Sequence, residues 1–145
     1  MNKTKIHYLD YTWNPVTGCT PIGTGCKNCW AAGMAKRLAG MSADGYDKQN
    51  PFKVTLHPDR LDEPLKVKKP ARIGVSFMGD LFHKDVPQWY QHDVFEIIRQ
   101  AKQHTFLVLT KRPDAEPAHW IQAAANAKGI TTPAADACVG RHGGK

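Results

Sequence analysis

RIGVSFMGDLFHKDVPQWYQHDVFEIIRQAKQHTFLVLTKRP, residues 72 to 113, changes its hydrophobic period twice. At its start Ile73, Val75 and Phe77 alternate with smaller or polar residues, the period of two shown by a strand. From Asp85 onward the period lengthens. Tyr90, Val94, Ile97 or Ile98, and Ala101 recur every three or four residues and predict the inner face of an amphipathic helix. Asp85 is the expected N-cap, with Pro87 in the first turn. TFLVLT then reads as a second, near-continuous apolar strand, closed by Pro113. Strand, helix and strand in that order predict a parallel βαβ unit.

Downstream, DAEPAHWIQAAANAKG predicts a helix over 114–129 that ends on Gly129, a favoured C-cap residue. The next stretch, 130–145, has its β-prone run broken by Pro133 and reads as an irregular tail, with Cys138 a bystander. Upstream, YLDYTW (8–13) predicts a short strand. Residues 42–70 read as an irregular connector, with a helical turn starting near Pro58. The expected fold is α/β: one domain over 1–129, with a small parallel sheet of about three strands and flanking helices.

The gross properties narrow the class. The chain has 145 residues, 41% of them hydrophobic, and a formal charge of +7. Its mean hydropathy is -0.48. No apolar run approaches the roughly 20 residues of a membrane span, and no apolar stretch follows the basic start. The expected setting is therefore cytoplasmic, without membrane partners. The positive balance favours polyanions such as nucleic acid, although Lys66, Lys68, Lys69 and Arg72 also fit a solvated surface.

NPVTGCTPIGTGCKNCW (14–30) carries Cys19, Cys26 and Cys29. In a reducing compartment such a cluster points to metal binding or catalysis ahead of disulfides. Three thiolates suit three corners of a 4Fe–4S cluster, leaving one iron open to another ligand. Gly18, Gly23 and Gly25 allow tight turns, and a helix starting near Lys27 would aim its positive end at an anionic cluster. Zinc is the competing reading, with a fourth ligand drawn from His7, His57, His83 or Cys138. Three reduced thiols in an ordinary loop are the third. After the loop, Trp30, Met34, Leu38 and Met41 predict one stripe of an amphipathic helix. Trp13 and Asn14 are expected to brace the loop, and Trp30, Trp89 and Trp120 to lie in the core.

The blocks TWNPVTGCTPIGTGCKNCW, AKRLAG, TLHPDRLDEPL, SFMGDLFHKDVP and QHTFLVLTKRP, running from about Tyr8 to Pro113, resemble a family of phage-encoded three-cysteine-motif proteins. That family is regarded as related to radical S-adenosylmethionine enzymes. The resemblance implies a partial TIM-type barrel with the cluster cysteines after its first strand, here Cys19, Cys26 and Cys29. The C-x6-C-x2-C spacing departs from the standard radical-enzyme pattern, and the final stretch does not resemble the family's further βα units. The chain therefore reads as a C-terminally truncated member.

Asp80 and His83 follow the first strand of the βαβ unit and fall on its carboxyl rim, where βα folds build sites. Asp80 is a candidate for binding a polar group, and His83 for proton donation or metal ligation. Thr110, Lys111 and Arg112 end the next strand on the same rim, with Lys111 and Arg112 as candidate anion-binding residues. No phosphate loop, nucleophile elbow or dinucleotide fingerprint is present.

Two function classes follow. One is a catalytically incomplete phage accessory protein. It would bind or inhibit a host protein or nucleoprotein complex, such as a defence system, with its cysteine loop loaded by iron–sulfur or zinc, or empty. The other is a radical S-adenosylmethionine-type enzyme acting on nucleic acid or another anionic substrate. A small sheet with open edges also suits a homo-oligomer.

Overall fold

The computed structural model describes residues 1–112. The predicted helix 114–129, Trp120, the tail 130–145 and Cys138 lie outside the described residues. In chain order the elements are β1 (Asn2–Lys3), β2 (Tyr11–Trp13), β3 (Val16–Thr17), α1 (Trp30–Gly40), β4 (Thr55–Leu56), β5 (Arg72–Val75), α2 (Gln88–Gln100) and β6 (Thr105–Val108). The main sheet has the order β1-β2-β5-β6, while β3 and β4 pair separately. β2, β5 and β6 are parallel, and β1 adds a two-residue antiparallel edge. This is a mixed α/β arrangement with a small, mostly parallel sheet.

The βαβ unit follows the hydrophobic periods. Ile73 and Val75 of β5 and Phe106 and Val108 of β6 are buried with Trp13 in one core. α2 closes that core with Tyr90, Val94, Phe95 and Ile98. Its start differs from expectation. Pro87 occupies the N-cap position, and its carbonyl accepts from the amides of Tyr90 and Gln91. Asp85 stays in the preceding turn, where its amide donates to Nδ1 of His83 at 3.1 Å.

β5 is shorter than its alternation predicts. Ser76 turns to φ 54, a left-handed conformation that ends the ladder and carries Phe77 out of the strand. The Ser76 amide still donates to the carbonyl of Trp13 at 2.8 Å, so the turn is tied to the end of β2.

α1 buries a different stripe from the one predicted. Ala31, Ala35 and Ala39 face inward, and Ala31 and Ala35 pack with Met78 in a second, smaller cluster. Met34 and Leu38 flank them half-buried, while Trp30 and Met41 are exposed. Small residues let a helix approach its neighbour closely, and the larger side chains are displaced to the sides. Trp89, also expected in the core, is 62% exposed on α2.

Trp13 and Asn14, expected to brace the loop, anchor the chain at its entry. Trp13 is fully buried, with its indole N–H donating to the Arg60 carbonyl at 2.7 Å. Asn14 Oδ1 accepts from the Met78 amide at 3.0 Å. Gly18 enters the loop at φ 83, and a β-carbon there would lie 2.0 Å from the Lys53 carbonyl oxygen. Only glycine fits that crossing.

Tyr90 links α2 to this entry. Its hydroxyl donates to the Pro15 carbonyl at 2.9 Å, and burial pushes its pKa up to about 12. Tyr90→Phe removes one of the two hydrogen bonds that this carbonyl accepts, the other coming from the His57 amide at 2.9 Å, and should cost about 0.5–1.5 kcal/mol in denaturant unfolding. The folded state favours the neutral phenol. Its contribution is complete below the unfolded phenol pKa, about 10, and is lost as pH rises through the folded value. Wild-type stability should therefore fall more steeply than that of Tyr90→Phe above pH 10. Parallel pH profiles of the two proteins would contradict this assignment.

Candidate functional site

Parallel pairing brings the carboxyl ends of β2, β5 and β6 to one side of the sheet. The segments that follow these strands line a single cavity of about 440 Å³. From the first comes the cysteine loop with Cys19, Cys26 and Cys29. The second supplies Ser76 and Asp80, and the third supplies Lys111 and Arg112. The structure thus brings together all three cysteines, Asp80 and the basic pair.

Local structure sets each thiol. Cys19 follows the strand pairing of β3 with β4, and its amide donates to the Phe52 carbonyl. Cys26 ends a short 3-10 turn over Thr24–Cys26. Cys29 occupies the N-cap position of α1. The helix therefore begins three residues later than Lys27, and its positive end lies at Cys29 itself. None of the three thiols is in a disulfide.

Asp80 organises the rim. The residue is 4% exposed. Its Oδ1 accepts from the Phe82 amide at 3.0 Å and from the Thr110 hydroxyl at 2.9 Å. Its Oδ2 accepts from the Lys111 amide at 3.3 Å and from Arg112 Nη1 at 3.0 Å. The same Arg112 Nη1 lies 3.1 Å from Cys19 Sγ, while Nη2 donates to the Thr20 carbonyl at 2.9 Å. Lys111 Nζ donates to the Gly25 carbonyl at 2.7 Å and stands 3.9 Å from Cys26 Sγ. Each basic residue therefore holds a different part of the cysteine loop: Arg112 spans the Asp80 carboxylate and Cys19 Sγ, and Lys111 spans the Gly25 carbonyl and Cys26 Sγ.

The two flanking thiols are poised differently. Burial pushes Cys19 up, against the opposing pull of Arg112. Cys26 is held down by backbone hydrogen bonding from Ile22 and Gly23, with Lys111 adding to the effect.

His83 takes another place. It is 1% exposed behind the loop, with Nε2 2.8 Å from the Thr20 hydroxyl. Nδ1 accepts from the Asp85 amide, so the proton belongs on Nε2 and is directed to Thr20. Burial, reinforced by Arg112, lowers its pKa and favours the neutral ring. In this arrangement both ring nitrogens are engaged. His57, another zinc-ligand candidate, likewise meets the Thr17 hydroxyl through Nε2 at 2.8 Å.

Ser76 escaped sequence reasoning. It is 1% exposed, lines the cavity, and its hydroxyl has no hydrogen-bond partner among the described residues. A hydroxyl inside the apolar run IGVSFM was its only signal.

Among the described residues no group of three or more His, Cys, Asp or Glu side chains is gathered to hold a single metal ion. Three free thiols line one cavity, with Arg112 and Lys111 beside two of them, and three cysteines are the donor set that a 4Fe–4S cluster with one open iron would use. Cys19, Cys26 and Cys29 would hold it.

A family model with the description "protein of unknown function (DUF5131)" matches residues 3–137. The chain belongs to this family. The DUF5131 match takes in all three cysteines, the Asp80 rim and the basic pair, and it continues beyond the blocks that end at Pro113. No curated protein and no solved structure matches the chain. Among the described residues of this DUF5131 member, no helix is long and apolar enough to cross a membrane.

The contrast between the thiols can be measured in the reduced, metal-free protein. Lowering a thiol pKa by one unit raises the thiolate fraction tenfold below the pKa, while intrinsic nucleophilicity falls only about threefold. Cys26 should react with limiting iodoacetamide faster than Cys19 at pH 7.5, as read by peptide mass spectrometry. The gap should narrow as pH rises and both thiols ionise. Faster labelling of Cys19 at neutral pH would overturn the assignment.

Proposed function

We propose that the protein is an iron–sulfur enzyme of the radical S-adenosylmethionine type, with Cys19, Cys26 and Cys29 as its cluster ligands. The single observation that carries this reading is the convergence of all three thiols on one cavity at the carboxyl ends of three parallel strands. Three ligands to a four-iron cluster leave one iron open, and the bound cluster would supply the electron for cleaving S-adenosylmethionine. On this reading the sheet belongs to a partial barrel of the radical-enzyme kind.

The chain's own residues have distinct tasks. Arg112 and Lys111 offset thiolate charge in a partly desolvated site. Asp80 fixes Arg112 and holds the segments after β5 and β6 together. Tyr8, Phe52 and Leu109 contribute apolar surface to the cavity. The substrate is an anionic molecule, in keeping with the net positive charge.

A second reading is favoured by the exposed apolar side chains Ile22, Trp30, Met41 and Trp89. It makes the protein a phage accessory factor that binds a host protein or nucleoprotein complex without catalysis.

Anaerobic reconstitution, followed by iron and sulfide analysis and visible absorbance, separates the two. The enzymatic reading expects the stoichiometry of a 4Fe–4S cluster, loss of that cluster in Cys26→Ala, and cleavage of S-adenosylmethionine after reduction. One equivalent of zinc, or no metal in a folded protein, would sink it and leave the binding reading.

A further inference from the structure

The cavity at the cysteines has a neighbour. A groove of about 370 Å³ is lined by Lys3, Lys5, Thr12 and Asn14, and Trp30 and Phe77 line both spaces. Trp30 is 61% exposed at the first position of α1, so its ring face is open to a ligand lying in either space. Lys3 and Lys5 make no salt bridge to an acidic residue among the described residues. Two aromatic rings thus stand where a basic groove meets a cavity that holds three thiols.

The cavity contains a second, independent sign of a ligand. Ser76 is 1% exposed, and its hydroxyl has no partner among the described residues. A buried, unpaired hydroxyl costs roughly 1–3 kcal/mol. Its backbone is held at φ 54, where a residue with a β-carbon is strained. Strain and an unpaired polar atom coincide on one residue that lines the site. The hydroxyl is closed to solvent as it stands, and its cost is relieved if the side chain turns, as a ligand enters, to meet a polar edge of it.

We propose that the ligand is an unpaired base of a single-stranded nucleic acid. Its flanking backbone crosses the Lys3–Lys5 groove, and its bases stack on Trp30 and Phe77. One base enters the cavity to meet Ser76. This deepens the enzymatic reading by naming its substrate class. The parts match the chemistry of sequence-tolerant strand binding: cations along the backbone path, aromatic faces for stacking, and few groups that read a base edge. A duplex keeps its bases paired and stacked, so it offers the aromatic rings nothing to receive.

The test measures fluorescence anisotropy of a labelled 12-nucleotide single strand, as DNA and as RNA, and of the matching duplex. It is run with metal-free and reconstituted protein. The single strand should bind more tightly than the duplex, and the better of the DNA and RNA arms identifies the natural source. Trp30→Ala should weaken binding by about 5-fold or more, the loss of one stacked base, and Trp30→Phe should restore part of it. Ser76→Ala should weaken it by about 2- to 10-fold. Replacing both Lys3 and Lys5 with Ala should flatten the logarithmic salt dependence by about 1.4, at about 0.7 per lost phosphate contact. Exposed Trp30, Lys3 and Lys5 give variants that test binding even if Ser76→Ala folds poorly.

Equal affinity for the duplex would overturn the proposal, as would binding unchanged by Trp30→Ala. A loaded cluster without strand binding refutes this inference and leaves the enzymatic reading in place. Strand binding with these variant effects in a protein that takes no cluster upholds the inference and refutes the enzymatic reading.

Discussion

The Asp80 carboxylate, 4% exposed, needs partners for both oxygens, and the protein supplies four donors. An isolated buried carboxylate would cost several kcal/mol, so these contacts are conditions for the charge to exist there. Three of the donors come from residues 110–112, which follow β6, while Asp80 itself follows β5. The carboxylate therefore locks two strand ends together. Arg112 carries the connection to a third segment, because its guanidinium also reaches Cys19 Sγ and the Thr20 carbonyl. The cysteine loop is thus held by charge from the sheet side as well as by its own turns.

Geometry at the loop entry imposes a second constraint. Gly18 pairs with Gly79 across a parallel bridge, beside the Lys53 carbonyl. The chain crosses itself at backbone distance there, immediately before Cys19. Tyr90 adds support from α2 through the Pro15 carbonyl. The first thiol is therefore positioned by the core. Cys26 and Cys29 depend on a short 3-10 turn and a helix start.

These differences explain what the sequence made legible. The βαβ unit was readable because strand and helix periods are local properties, and Ile73, Val75, Tyr90 and Val94 are buried as their spacing implies. Trp13 and Asn14 were also placed correctly, since their neighbours on both sides are fold elements. The inner face of α1 was not. Two adjacent stripes fit the helical period, and close approach selected the alanines over Trp30 and Met41. Ser76 broke the strand through a left-handed turn that no hydropathy pattern encodes. The rim position of Asp80 was legible, but its four donors were not, because most of them lie some 30 residues away. His83 was expected on the rim, but it is buried against Thr20 through a contact 63 residues apart in sequence, which no local pattern encodes.

The commitment of Arg112 changes where substrate recognition can occur. A guanidinium already shared among Asp80, Cys19 and Thr20 has little capacity left for an incoming phosphate. Lys111, drawn to Gly25 and Cys26, is similarly occupied. If these cations balance the thiolates, then an anionic substrate has to find its own positive charge elsewhere. Lys3 and Lys5 lie in the adjoining groove, across Trp30 and Phe77 from the thiols. Charge for the cluster and charge for the substrate would then be carried by separate residues, with an aromatic boundary between them. Such a division lets backbone phosphates stay outside while a neutral base approaches the thiols, and it avoids bringing a second anion into a cavity that already contains three sulfurs and a carboxylate.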